Sequence, residues 1–160
     1  MWAPAADLDE INRPFVVSYF QHLGKSKPRI PFGFRLMGCT FEFDPVTGLI
    51  EFQSSDPSGG LTCVTFIVLV FKRLYLPVVV EGSWPVRPDD ALWRASVIQA
   101  LLASGADPNR MDRVKNGLVD PRIRPEELVG SFIQRPWPVS FDAAHKLVRE
   151  VIADLEAAKH

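Results

Sequence analysis

From Leu61 to Glu81 the chain reads LTCVTFIVLVFKRLYLPVVVE, its densest run of apolar, β-branched and aromatic residues. Lys72 and Arg73 divide the run into two segments of strand length, Val64 to Phe71 and Leu74 to Val80. Alternation sets Val64, Phe66, Val68 and Val70 on one face and Thr65, Ile67, Leu69 and Phe71 on the other. A strand apolar on both faces belongs inside a sheet covered on both sides. This run is therefore the expected centre of the fold. It is too short to span a membrane: about a dozen uncharged residues stand where a spanning helix needs roughly 20. Lys72, Arg73 and Pro77 interrupt its continuation.

Upstream, CTFEF and LIEFQ alternate on either side of DPVTG, the clearest hairpin signal in the chain. With Asp44 opposite Leu49, Phe43 faces Ile50 and Phe41 faces Phe52 on the apolar side, while Glu42 opposes Glu51 on the other. A slip of one residue would set Phe against Glu. SSDPSGG then turns the chain into the central run. The predicted fold class is α+β: a four-stranded antiparallel β-meander over residues 32 to 81 packed against several α-helices, in a single domain of residues 1–160. Helices are expected near 12–23, 89–104, 125–133 and 140–157.

The helical pattern rests on particular positions. Ile11, Phe15, Tyr19 and Leu23, widened by Val16 and Phe20, form an apolar stripe that Gly24 ends. Pro88, Asp89 and Asp90 suit the first turn of a helix whose Leu92, Trp93, Val97, Ile98, Leu101 and Leu102 cover a wide arc, with Gly105 as its cap. Residues 106 to 124 read as largely irregular. Pro125, Glu126 and Glu127 open a short helix, and Pro136-Trp137-Pro138 marks a rigid extended linker. Ser140 is placed to cap a last helix with a stripe from Phe141 through Ala144, Val148, Val151 and Ile152 to Leu155.

Charge changes the picture by what it removes. Eighteen basic and 19 acidic side chains nearly cancel, so nothing global favours nucleic acid or acidic lipid. Arg110, Arg113, Lys115, Arg122 and Arg124 form a local basic stretch, but it contains no aromatic residue to stack on bases, and Glu126 and Glu127 follow it. Nucleic acid is not an expected partner. Cys39 and Cys63 lie in strand-like segments as free buried thiols, without a Cys-x-x-Cys spacing. His22, His145 and His160 show no metal-ligand spacing, and neither a metal nor a cofactor is expected. MWAPAADLDE lacks the basic start and apolar core of a secretory signal, so the expected location is cytoplasmic.

Two constellations have chemical content. Glu42 and Glu51, opposed on one face of the hairpin, form a carboxylate pair able to share a proton or a cation. Trp84, Trp93, Trp137 and Tyr75 are large amphipathic side chains of the type that anchors ligands or partners. Trp137 stands out because flanking prolines limit the entropy lost on binding.

Two short resemblances accompany these. VIQALLASGADPN, Val97 to Asn109, resembles the end of an ankyrin repeat at Leu101, Leu102, Gly105, Ala106, Asp107 and Asn109. Gly33 to Gly60 resembles the opening of small hotdog-fold acyl-CoA thioesterases, in which a strand pair and an Asn-Pro-x-Gly turn lead through His-Gly-Gly into a central helix. Asp56, Pro57 and Gly59 match that turn with Asp in place of Asn, and Thr62, Cys63 and Val64 stand where His-Gly-Gly is expected. Lacking a catalytic set, the chain is expected to be a non-enzymatic binding or interaction protein, an adaptor, chaperone-like or inhibitor-like module. Its expected partner is a protein, or a second copy met through apolar surface, and no membrane. The alternative is a small hydrolase of hotdog type acting on a thioester.

Overall fold

The computed structural model describes residues 10, 12–117 and 120–158. The expectations at Ile11 and His160 lie outside these residues. Among them the chain forms seven helices and one two-stranded antiparallel sheet. The four-stranded meander is not formed. Only its first hairpin exists, β1 (Cys39–Phe43) paired with β2 (Ile50–Ser54). There Phe41 pairs with Phe52, Phe43 with Ile50, and Glu42 with Glu51, in the register read from the alternation. Asp44 N–H closes the turn on the Leu49 carbonyl at 2.9 Å, and Gly48 supplies the positive φ of 69° that the turn requires.

The central run folds as a helix. Counting the helix Asn12–Ser26 as α1, the segment Cys63–Arg73 is α2. Its buried positions, Val64, Thr65, Val68, Leu69 and Phe71, recur at helical spacing. Val70 is buried as well, so α2 is surrounded on most sides. The ends are specified locally. Thr62 Oγ1 accepts from Thr65 N–H at 3.1 Å while Thr65 Oγ1 accepts from Thr62 N–H at 2.8 Å, a reciprocal cap, and Lys72 and Arg73 occupy the last turn. β-branched residues disfavour a helix by only tenths of a kcal/mol each. Burial of about 1.5–3 kcal/mol per large apolar side chain outweighs that. The expected fourth strand is an extended segment instead. Val79 makes an isolated parallel bridge with Val139, through Val80 N–H to the Val139 carbonyl and Val139 N–H to the Val78 carbonyl, both at 2.9 Å.

A strand pair, a turn and a central helix thus follow in the order the hotdog resemblance implies. The sheet that would wrap that helix is missing among the described residues. Thr62, Cys63 and Val64 form the cap and first turn of α2.

Helix α1 runs beyond Gly24 to Ser26, where Lys27 turns to a φ of 45° and donates to the Leu23 carbonyl. Helix α3 (Pro88–Ala103) keeps the expected bounds within a residue, and Gly105 caps it at a φ of 87°. It is less covered than its apolar arc suggests, with Leu92 74 % exposed. The stretch expected to be irregular contains α4 (Pro108–Asn116), capped by Asp107 on Asn109 N–H and buried through Met111 and Val114. Helix α5 (Pro125–Ile133) follows, and the last predicted helix breaks at Leu147 into α6 (Phe141–Lys146) and α7 (Val148–Ala157). The main core gathers around α2; a smaller one joins α3 to α4 through Ile98, Met111 and Val114. Beside the isolated bridge of Phe32 with Leu61, the backbones at Gly33 and Gly60 approach so closely that a Cβ on Gly33 would lie 2.6 Å from Gly60 Cα. No described helix is long and apolar enough to cross a membrane.

Candidate functional site

A cleft of about 320 Å³ opens along the N-terminal half of α3. Helical spacing puts Ala91, Ala95 and Ile98 along one wall, with Asp90 and Arg94 one turn apart beside them. Phe34, Pro121 and Ile123 contribute the other apolar side chains, and Thr62 and Thr65 bring the start of α2 to its edge. Trp93, Arg122 and Lys115 complete the arrangement.

The two carboxylates of this cleft take their hydrogen bonds from outside it. Asp120 accepts from the backbone N–H of Leu36 at 2.6 Å and of Met37 at 3.0 Å, with Arg35 3.5 Å away. Asp90 accepts from Arg87 N–H at 2.9 Å, and Arg87 Nε is 3.7 Å from the same oxygen. Both carboxylates are therefore held by arginines that do not line the cleft. Among the described residues, Arg94, Lys115 and Arg122 form no ion pair. Arg94 donates to the Val114 carbonyl and lies 5.3 Å from the Phe34 ring centroid, with its Nε buried and unpartnered. Arg122 lies 3.8 Å over the Trp93 ring, which meets Phe34 edge-on at 5.3 Å. Burial pushes Arg94 below its ordinary pKa, against the pull of Asp120. Burial does the same to Arg122, reinforced by the charges of Arg124 and Arg87 and opposed by Asp90 and Asp89.

Trp93 is thus the one aromatic candidate that lines the cleft. Trp84 is 4 % exposed and donates its indole N–H to Glu127 Oε2 at 3.2 Å. Trp137 is half-buried, donates to the Ser131 carbonyl at 2.8 Å, and packs edge-on against Phe71 and Phe132. Tyr75 is 86 % exposed just beyond α2, with a positive φ of 59°. The four do not converge on one site. Glu42 and Glu51 face each other across the hairpin on its exposed side, away from the cleft lining. Cys39 is buried and Cys63, at the start of α2, is exposed, correcting the expectation of two buried thiols. Burial raises the Cys39 thiol above its usual pKa.

Three residues of the basic stretch are engaged by the fold, while Arg113 and Lys115 are exposed. Arg110 donates to the Phe32 carbonyl at 2.9 Å, Arg124 pairs with Asp89, and Arg122 stacks on Trp93. Asp90, Arg94, Lys115 and Arg122 escaped the sequence reading as site residues. The spacing of Asp90 and Arg94 on α3 was legible, but nothing local brings Arg122 to Trp93. The chain matches no family model, and no curated protein or solved structure matches it.

Proposed function

We propose that this protein is a non-enzymatic binding module and that the cleft along α3 holds its ligand. One observation carries the reading: Arg94, Lys115 and Arg122 line a largely apolar space whose two carboxylates are already engaged from outside. Arg94 and Arg122, desolvated beside apolar walls and in no ion pair among the described residues, are costly in the empty state, and with the exposed Lys115 they offer favourable contacts once a ligand arrives. The cleft volume suits a small molecule, at the lower end of the roughly 300–1,000 Å³ range of such sites.

The lining supports binding over covalent chemistry. It contains neither cysteine nor histidine, and its two threonine hydroxyls are engaged in the cap of α2. Ligand-observed NMR with neutral, cationic and anionic fragments is expected to return binders. Ala95→Leu grows a side chain into the cleft from an exposed helical position and should weaken them by about tenfold or more. A protein that binds none of the fragments, or binds them equally well after that substitution, overturns the reading. Turnover of a short-chain acyl thioester by the purified protein would replace it with the hydrolase alternative.

A further inference from the structure

We infer that the ligand of this cleft is a small organic oxyanion, a carboxylate or phosphate carried on a flat apolar body. The inference rests on the cleft being the binding site and adds the chemistry of what it holds. Arg122 is the central group. Stacking on Trp93 at 3.8 Å uses the face of its guanidinium. The N–H donors lie in the plane of that group, so stacking leaves them free to form the bidentate fork that carboxylates and phosphates match. Among the described residues, no side-chain hydrogen bond or ion pair of Arg122 engages that edge. Arg94 spends one donor on the Val114 carbonyl, and its Nε has no acceptor. Lys115 adds an exposed ammonium at the rim without a carboxylate partner.

An incoming anion would find three cations and displace no internal salt bridge. A cationic ligand would find Asp120 already accepting from two backbone N–H groups and Asp90 with only its buried Oδ1 unpartnered, both amid three cations. The apolar part of the ligand follows from the walls. Ala91 and Ala95 give α3 a low surface, and Phe34 and Pro121 also line the space, which suits a flat ring system.

Calorimetric titration with 2-naphthoate, 2-naphthyl phosphate, 2-naphthamide and 2-naphthylmethylammonium tests this on the full chain. At least one of the two anions should bind about tenfold or more tighter than the amide, and the ammonium most weakly. Which anion binds tighter separates carboxylate from phosphate. Arg122→Gln and Lys115→Gln should each reduce the preference for the anion over the amide several-fold. Lys115 is exposed, so its variant keeps the test open if Arg122→Gln unfolds the protein. An amide or ammonium that binds as tightly as both anions overturns the inference and leaves the binding reading intact, as does a preference untouched by both variants. Silence from all four probes overturns the inference; silence from the wider fragment set as well overturns the binding reading.

Discussion

Trp84 Nε1 donates a 3.2 Å hydrogen bond to Glu127 Oε2 across 43 positions of sequence. Glu127 is 0 % exposed, and a buried carboxylate persists only where donors replace its hydration. Three do so here: the Trp84 indole, the Arg87 guanidinium, and the Arg124 backbone N–H at 2.9 Å. The last of these makes the same carboxylate the cap of α5. The loop before α3 and the start of α5 are thus tied at one oxygen pair.

Removing that tie has an unequal cost on its two sides. Glu127→Ala would leave the Trp84 N–H without its acceptor and take the nearest carboxylate from the Arg87 guanidinium, which keeps the Arg122 carbonyl, with an expected loss of about 3–5 kcal/mol. Trp84→Phe removes one hydrogen bond to a charged acceptor and should cost about 1.5–3 kcal/mol. Glu156→Ala, at an exposed position of α7, should stay within about 0.5 kcal/mol. Urea denaturation measures all three. A Glu127→Ala protein as stable as Glu156→Ala would show that the network contributes nothing.

The hairpin separates register from burial. Phe41 is 3 % exposed and meets the rings of Phe52 and Phe66 edge-on, whereas Phe43 on the same face is 50 % exposed. Phe41→Ala should therefore cost about 3–5 kcal/mol, while Phe43→Ala should cost about 1 kcal/mol or less and Glu42→Ala about 0.5 or less. Equal losses at Phe41 and Glu42 would contradict the observed facing.

The hairpin was legible because each of its strands carries its own evidence: phenylalanine on one face, glutamate on the other, and a turn of matching chemistry between them. Helix α3 was legible from Pro88, Asp89 and Gly105, which mark both ends. The central run was misread for a physical reason. Residues such as Val68, Leu69 and Val70 are apolar at every position, so neither a period of 2 nor one of 3.6 stands out within a short span. The Thr62–Thr65 cap and the basic last turn carried the missing information. Helix α4 buries only Met111 and Val114, too few positions to announce a periodicity. Within the cleft, Trp93 was recognisable by residue type, but Arg122 meets it only through the tertiary fold.

Acid should loosen the hairpin turn as it protonates Asp44. Hydrogen bonding from Thr47's side chain, then from the backbone N–H groups of Val46 and Thr47, holds the Asp44 carboxyl below its ordinary value. A folded-state pKa depressed below an unfolded value near about 3.9 stabilises the fold above that value, and the contribution disappears as pH falls through the folded pKa. The amide resonances of Val46 and Thr47 should accordingly titrate with a midpoint below about 3.9. Asp44→Asn should remove the transition. A midpoint at or above that value would mean the turn does not hold the carboxylate.

Trp137 presents the sharpest choice between anchoring a partner and holding the fold. Its indole N–H donates at 2.8 Å to the carbonyl of Ser131, a fully buried residue of α5. Its ring meets Phe71 of α2 at 5.9 Å and Phe132 of α5 at 5.6 Å, and Arg135 covers a ring face at 3.7 Å. The side chain therefore joins α2 to the end of α5 and fills space beside Phe71, itself in the main core. Trp137→Ala should cost about 3 kcal/mol, the low end for a large aromatic because the residue is only half-buried. Trp137→Phe keeps the edge contacts and loses the hydrogen bond, for about 1 kcal/mol. Arg135→Ala removes an exposed cation–π contact and should stay within about 1 kcal/mol. Denaturant midpoints ordered Ala, Phe, Arg135→Ala and wild type, from lowest to highest, place the indole in the scaffold. A Trp137→Ala protein within about 0.5 kcal/mol of wild type would instead mean that these contacts contribute little, leaving the indole face available to a partner.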